Sequence, residues 1–176
     1  METSNHYALA EYLIQATNRP MLRRYRNAFR FGNISPDLNP FTYLNGHKFE
    51  SFDLTVKKKL DRLVNKECWT WYDVYELGVV THYLADYFTY PHNQQYGGSF
   101  LAHCRYEKKL HPLFTAYLSR RSGVRMIEAG QIPGKSEVCK RIRSLHQEYV
   151  TKRSTYQDDC RYIVSISDCV LRAIAA

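Results

Sequence analysis

The chain has 176 residues, enough for one domain with a sizeable core and too few for two ordinary ones. With 44% hydrophobic and 24% charged residues it reads as globular rather than disordered, and no apolar run approaches the roughly 20 residues that span a bilayer, so membrane contact would be peripheral. A formal charge of +8 favours anionic partners such as nucleic acid, phospholipid head groups or phosphorylated small molecules, without choosing among them.

In chain order, the first twenty residues hold Glu2, Glu11 and Gln15 among the apolar positions. They show no basic start, continuous apolar core or cleavage site, so no secretion signal is expected. Five cysteines, Cys68, Cys104, Cys139, Cys160 and Cys169, form no C-x-x-C pair. An odd number at irregular spacing suits reduced thiols, and the expected location is cytoplasmic.

Apolar residues recur at steps of three and four, and sustained alternation is absent, which predicts an all-α fold: a single-domain multi-helix bundle over residues 1–176. A first helix is expected to about Thr17, with Ser4 or Asn5 as a suitable cap, and a second from Pro20. Residues 32–46, GNISPDLNPFTYLNG, are punctuated by glycine, proline and Asn-Gly and read as a long ordered loop. Further helices are predicted over 51–64, 71–90, 99–119 with a kink at Pro112, 135–152 and 157–173. The basic groups Arg23, Arg24, Arg26 and Arg30, Lys57 to Lys59, and Lys140, Arg141 and Arg143 read as solvated helix faces.

The stretch 77–91, LGVVTHYLADYFTYP, carries one formal charge, Asp86, on a helix apolar around most of its circumference. Such a helix is central. His82 and Asp86 share one face, opposite Leu77, Val80, Leu84 and Phe88. A buried carboxylate without compensation costs several kcal/mol, and this helix has no lysine or arginine, so a cation is required from elsewhere. The next helix repeats the arrangement: His103 and Glu107 interrupt a stripe of Phe100, Leu110, Phe114 and Tyr117. His92, in Pro91-His92-Asn93, lies on the turn between them. Taken singly, each pair fits a hydrogen-bonded core or surface contact. Taken together, inward-facing His-x-x-x-acid pairs on consecutive helices with a connecting histidine point to zinc, which takes imidazole nitrogen and carboxylate oxygen.

The run from His82 through Asp86 to His92, followed by His103 and Glu107, resembles the ligand signature of the zinc-dependent phospholipase C family, whose fold is shared with fungal zinc-dependent single-strand nucleases. Gly32 to Asp37 is similar to that family's Gly-x-x-x-Pro-Asp loop, His47 to the histidine after it, and His6 to an early histidine on its first helix. The resemblance implies an all-helical bundle with a cluster of two or three zinc ions. Asp37, His47, His82 and Asp86 would hold one ion, His92, His103 and Glu107 a second, and His6 with Asp86 a third, Asp86 bridging two metals. His111 and His146 are expected to be ordinary residues. In one departure, secreted members bind the third zinc through the amine and carbonyl of an N-terminal tryptophan far ahead of the early histidine, whereas here Met1 stands five positions before His6.

The implied activity is hydrolysis of a phosphodiester by a metal-activated water, with Asp37 as general base and a phosphoester, phospholipid for example, as substrate. Two alternatives are a single-strand nuclease, consistent with the basic charge and 15 tyrosines that could stack bases, and a metal-binding module without turnover.

Overall fold

The computed structural model describes residues 1–39, 47–121, 134–152 and 155–174. It is all-α: eight α-helices, joined by short 3₁₀ and π segments, and no strand among the described residues. They are α1 (Thr3–Thr17), α2 (Pro20–Arg24), α3 (Arg26–Leu38), α4 (Lys58–Leu63), α5 (Trp71–Tyr87), α6 (Phe100–Arg121), α7 (Val138–Thr151) and α8 (Tyr156–Ile174). One hydrophobic cluster runs through them from Met1 to Ile174. Among the described residues, no helix is long and apolar enough to cross a membrane.

Helix α5 is the axis. It starts at a capping box: the Thr70 hydroxyl accepts from the Asp73 amide at 3.2 Å, and the Asp73 carboxylate accepts from the Thr70 amide at 3.0 Å. From Asp73 to Tyr87 all but one of its residues, Tyr75, are buried, as an apolar circumference requires. It ends at Phe88, and a separate 3₁₀ turn, Tyr90–His92, follows, so the helix predicted over 71–90 stops short of its expected end. Pro91 cannot donate to a continuing helix.

The segment 32–46 departs from expectation. Residues 32–38 are not loop but the last two turns of α3, while 40–46 lie outside the described residues. Gly32 serves packing rather than turning. A Cβ added there would run into the backbone of Tyr75, and one added at Gly78 would sit 2.9 Å from the Gly32 Cα. The two glycines let α3 and α5 touch backbone to backbone. Pro36 removes the helical donor to the Gly32 carbonyl, which instead has the Ser35 hydroxyl at 3.5 Å.

The helix predicted over 51–64 is split into a 3₁₀ turn (Phe49–Ser51), a π segment (Asp53–Lys57) and α4. On α6 the stripe begins later than predicted: Phe100 is 66% exposed, whereas Leu110 and Phe114 are fully buried. His146, expected to be an ordinary residue, is buried on α7, its ring stacked on Phe49 at 3.6 Å.

Candidate metal centre

Four helices, a 3₁₀ turn and the segment before Phe49 converge on Asp86. Helix α1 brings His6, the C-terminal turns of α3 bring Asp37, and α5 supplies His82 and Asp86 one turn apart. The 3₁₀ turn brings His92, α6 brings His103 and Glu107, and His47 arrives just before Phe49. All eight histidines and acids named from the sequence lie in one cluster. Within it, four groups of three have ligand atoms within 4.8 Å of one another: His6, His82 and Asp86; Asp37, His47 and His82; His47, Asp86 and His92; and His92, His103 and Glu107.

The centre is deep at one end and open at the other. His6, His82 and Asp86 are fully buried, while the side chains of Asp37, Glu107 and His103 are 13%, 15% and 22% exposed. The carboxylate of Asp86 has His47 Nδ1 at 2.5 Å and His82 Nε2 at 3.2 Å on Oδ2, and His6 Nε2 at 3.3 Å and His92 Nε2 at 3.8 Å around Oδ1. Glu107 Oε1 lies 2.8 Å from His103 Nε2 and 3.2 Å from His92 Nε2. Asp37 accepts a hydrogen bond from the Thr3 hydroxyl at 2.7 Å through Oδ2 and turns Oδ1 toward His82, 3.6 Å away.

His82 Nδ1 lies 2.8 Å from the carbonyl of Asn33. A carbonyl only accepts, so Nδ1 carries the proton and Nε2 presents its lone pair to the cluster, the outer-shell arrangement usual for a metal-ligating histidine. The close contact of α3 with α5 places that carbonyl. His6 stacks on His82 with ring centroids 3.8 Å apart; both its ring nitrogens are buried, Nδ1 without a hydrogen-bond partner and Nε2 with only the Asp86 carboxylate, 3.3 Å away, in reach. Burial, foremost, and the neighbouring His82 push its pKa down to about 4, so the ring is a neutral nitrogen donor.

The α-amine of Met1 is the group that sequence reasoning missed. It is inserted into the cluster, donating to Asp86 Oδ1 at 2.5 Å, 3.0 Å from Glu107 Oε1 and 3.1 Å from His92 Nε2. Burial opposes its charge, but Asp86 and Glu107 raise its pKa to about 10. Burial likewise opposes the charge of Asp86, yet the ammonium, His92, His6 and His82 hold its carboxyl well below the usual range. Glu107 is held low in the same way, by the ammonium and by hydrogen bonds from His103 and His92. A backbone amine has no side-chain signature; the signals for it were its place ahead of His6 at the start of α1 and the N-terminal amine that secreted family members use.

One ammonium does not neutralise Asp37, Asp86 and Glu107 together. An excess of carboxylate and five imidazoles, one of them with a buried nitrogen that has no hydrogen-bond partner, form a donor set that suits zinc. The grouping differs in detail from the expected one: His82 is shared between the His6 and Asp37 groups, and His47 and His92 both reach Asp86. His111 stands outside, with Nδ1 2.6 Å from the Asn5 side chain. His146 also stands outside, with Nε2 2.8 Å from the Asn93 side chain. Asn93 in turn donates to the carbonyls of Tyr87 and Thr89, bracing the turn that carries His92.

A family model described as zinc dependent phospholipase C matches residues 5–156. No curated protein and no solved structure matches the chain. With the match covering most of its length and every histidine and carboxylate of the cluster, the chain belongs to the zinc-dependent phospholipase C family.

Proposed function

We propose that the chain, as one domain over residues 1–176, is a zinc-dependent phosphoesterase that hydrolyses a phosphodiester, with phospholipid as the substrate class. The reading is carried by His6: a fully buried imidazole whose Nδ1 has no hydrogen-bond partner and whose Nε2 faces, at 3.3 Å, a carboxylate that three further histidines surround. That is costly for packing alone and suits a ligand.

His6, Asp37, His47, His82, Asp86, His92, His103 and Glu107 would hold two or three zinc ions, with Asp86 central. Bound zinc would lower the pKa of a water and stabilise the negative charge that builds on the phosphoryl oxygens. The protein's own part is to hold donors and move a proton. Asp37 is suited to be the general base: it lies at the open end, Thr3 fixes one carboxylate oxygen, and the other faces the cluster. His103 and Glu107 lie at the same open end, where substrate can approach. Leu38, next to Asp37, is 64% exposed, and Phe100 and Leu101, a turn before His103, are 66% and 67% exposed. Apolar side chains beside the opening suit an acyl-bearing substrate better than a polynucleotide.

Zinc-loaded protein assayed side by side on phosphatidylcholine vesicles, a chromogenic phosphodiester and single-stranded DNA tests the proposal. Expected are chelator-sensitive release of phosphocholine and turnover of the chromogenic ester, both abolished in Asp37→Asn. Cleavage of DNA alone would favour the nuclease reading, and zinc binding without any turnover would favour an inert metal module.

A further inference from the structure

Behind the open half of the centre lies a carboxylate that the chemistry above does not use. Asp159, on the first turns of α8, is fully buried, and it lies beyond the residues matched by the family. Its Oδ2 accepts from the backbone amide of Tyr90 at 3.2 Å and from the Tyr106 hydroxyl at 2.9 Å; its Oδ1 accepts from the Tyr149 hydroxyl at 2.7 Å.

Two of these partners adjoin proposed ligands. Tyr90 opens the 3₁₀ turn that ends at His92, and its amide, at the start of the turn, has no partner inside it. Pro91 has no amide, and the His92 amide is already spent on the Thr89 carbonyl at 3.0 Å. Asn93 braces the turn at its end, and the Tyr90 amide is left to anchor its start from outside. Tyr106 immediately precedes Glu107 on α6 and follows His103 by less than one turn. A single oxygen atom thus fixes the turn bearing His92 against the helix bearing His103 and Glu107. Those three side chains come from two elements, and their ligand atoms must still meet within about 3 Å, as the 2.8 and 3.2 Å separations around Glu107 Oε1 require.

We propose that Asp159 is a positioning residue for the metal group formed by His92, His103 and Glu107, an inference that rests on the zinc reading of the centre. Asp159 touches no ligand atom; it sets the distance between the two elements that carry them. Partners that hydrogen-bond a ligand directly are worth about 10- to 100-fold in metal affinity, and Asp159, one contact further out, belongs at the low end of that range.

The test is zinc affinity of the full chain, measured by competition with a chromogenic chelator, for wild type, Asp159→Ala, Asp159→Asn, Tyr106→Phe and Tyr149→Phe. Thermal unfolding of the chelated proteins, run in parallel, reports structural damage separately. Asp159→Ala is expected to weaken the binding of one zinc ion by about tenfold or more. Asp159→Asn keeps an oxygen for Tyr90 and Tyr106 and is expected to restore near-wild-type affinity. Tyr106→Phe should weaken the same zinc, while Tyr149→Phe, which loses a hydrogen bond to the other oxygen, should lower the melting temperature and leave zinc affinity unchanged. Where Asp159→Ala does not fold, the two tyrosine variants decide the matter. Wild-type zinc affinity in Asp159→Ala or Tyr106→Phe, or equal weakening in Tyr106→Phe and Tyr149→Phe, would overturn the proposal and leave the zinc reading standing. Absence of zinc from the wild-type chain would overturn both.

Discussion

Asp86 draws its surroundings from five places: the Met1 ammonium, His6, His47, His82 and His92 all lie within 3.8 Å of its carboxylate. Neutralising it should remove more than one interaction at once. Asp86→Asn is expected to lose at least one zinc equivalent and to cut phosphodiester turnover by about 100-fold or more, beyond the loss typical of outer-shell changes; metal analysis and initial rates on the purified variant check it. A pH prediction attaches to His146. Burial, its main cause, lowers the pKa of this histidine from 6.5 to about 4. Above about pH 6.5 both folded and unfolded chains hold it neutral. As pH falls from there toward about 4 only the unfolded chain takes up the proton, so its stabilising contribution is full above pH 6.5 and lost below. The loss is roughly 3 kcal/mol at most. Urea unfolding of chelated wild type and His146→Gln at pH 7 and pH 4.5 should show the stability advantage of wild type shrinking at the lower pH; a constant difference would contradict it. At this scale the sequence was informative where a residue sat out of character. His82, Asp86, His103 and Glu107 were legible because a polar pair on an apolar helix face demands a partner. Asp37 and His47 are ordinary in isolation and were picked out by resemblance, and the Met1 amine has no side chain to betray it.

Helices place those residues, and the most extensive contact among the described helices is that of α3 with α5, which meet at Gly32 and Gly78. Gly78→Ala and Gly32→Ala are each expected to destabilise by about 1–3 kcal/mol through overpacking. Because α3 carries Asp37 and the Asn33 carbonyl that orients His82, both variants should also bind zinc more weakly. Gly134, where an added Cβ meets nothing within 4 Å, serves as the control: Gly134→Ala should match wild type in the same denaturant titration. Helix periodicity carried most of the element assignment, since α1, α5, α6 and α8 bury continuous faces that steps of three and four reveal. It failed at 32–38 for a definite reason. Glycine and proline mark turns when local conformation decides, but here the missing Cβ of Gly32 is used for a helix contact and Pro36 comes late enough in α3 to sacrifice only the Gly32 carbonyl. A packing requirement overrode the local signal, and a single sequence does not display the partner glycine as a partner.

For the whole molecule, the centre joins the first turn of α1, the end of α3, the axis α5 and the start of α6. Metal bound there would tie these elements together and is therefore linked to folding. Zinc at about a hundred times its dissociation constant adds about 2.7 kcal/mol, which for a chain of this size raises the melting temperature by roughly 5–10 °C. Calorimetry with and without a chelator should show that difference, and it should shrink in His82→Ala. The all-helical class and the convergence of the ligand helices were legible from the sequence because both follow from amphipathic spacing. The depth of the centre, open at Asp37, Glu107 and His103 and closed at His6, was not, because it depends on how α1 and α6 lie against α5. The most direct test of the central claim is the zinc content of the full chain, purified without added metal and measured by plasma emission spectrometry against protein concentration. The expected result is at least two equivalents per chain, falling in Asp86→Asn and His82→Ala; a wild-type protein that is folded yet holds no zinc, and takes up none when it is supplied, would contradict the account.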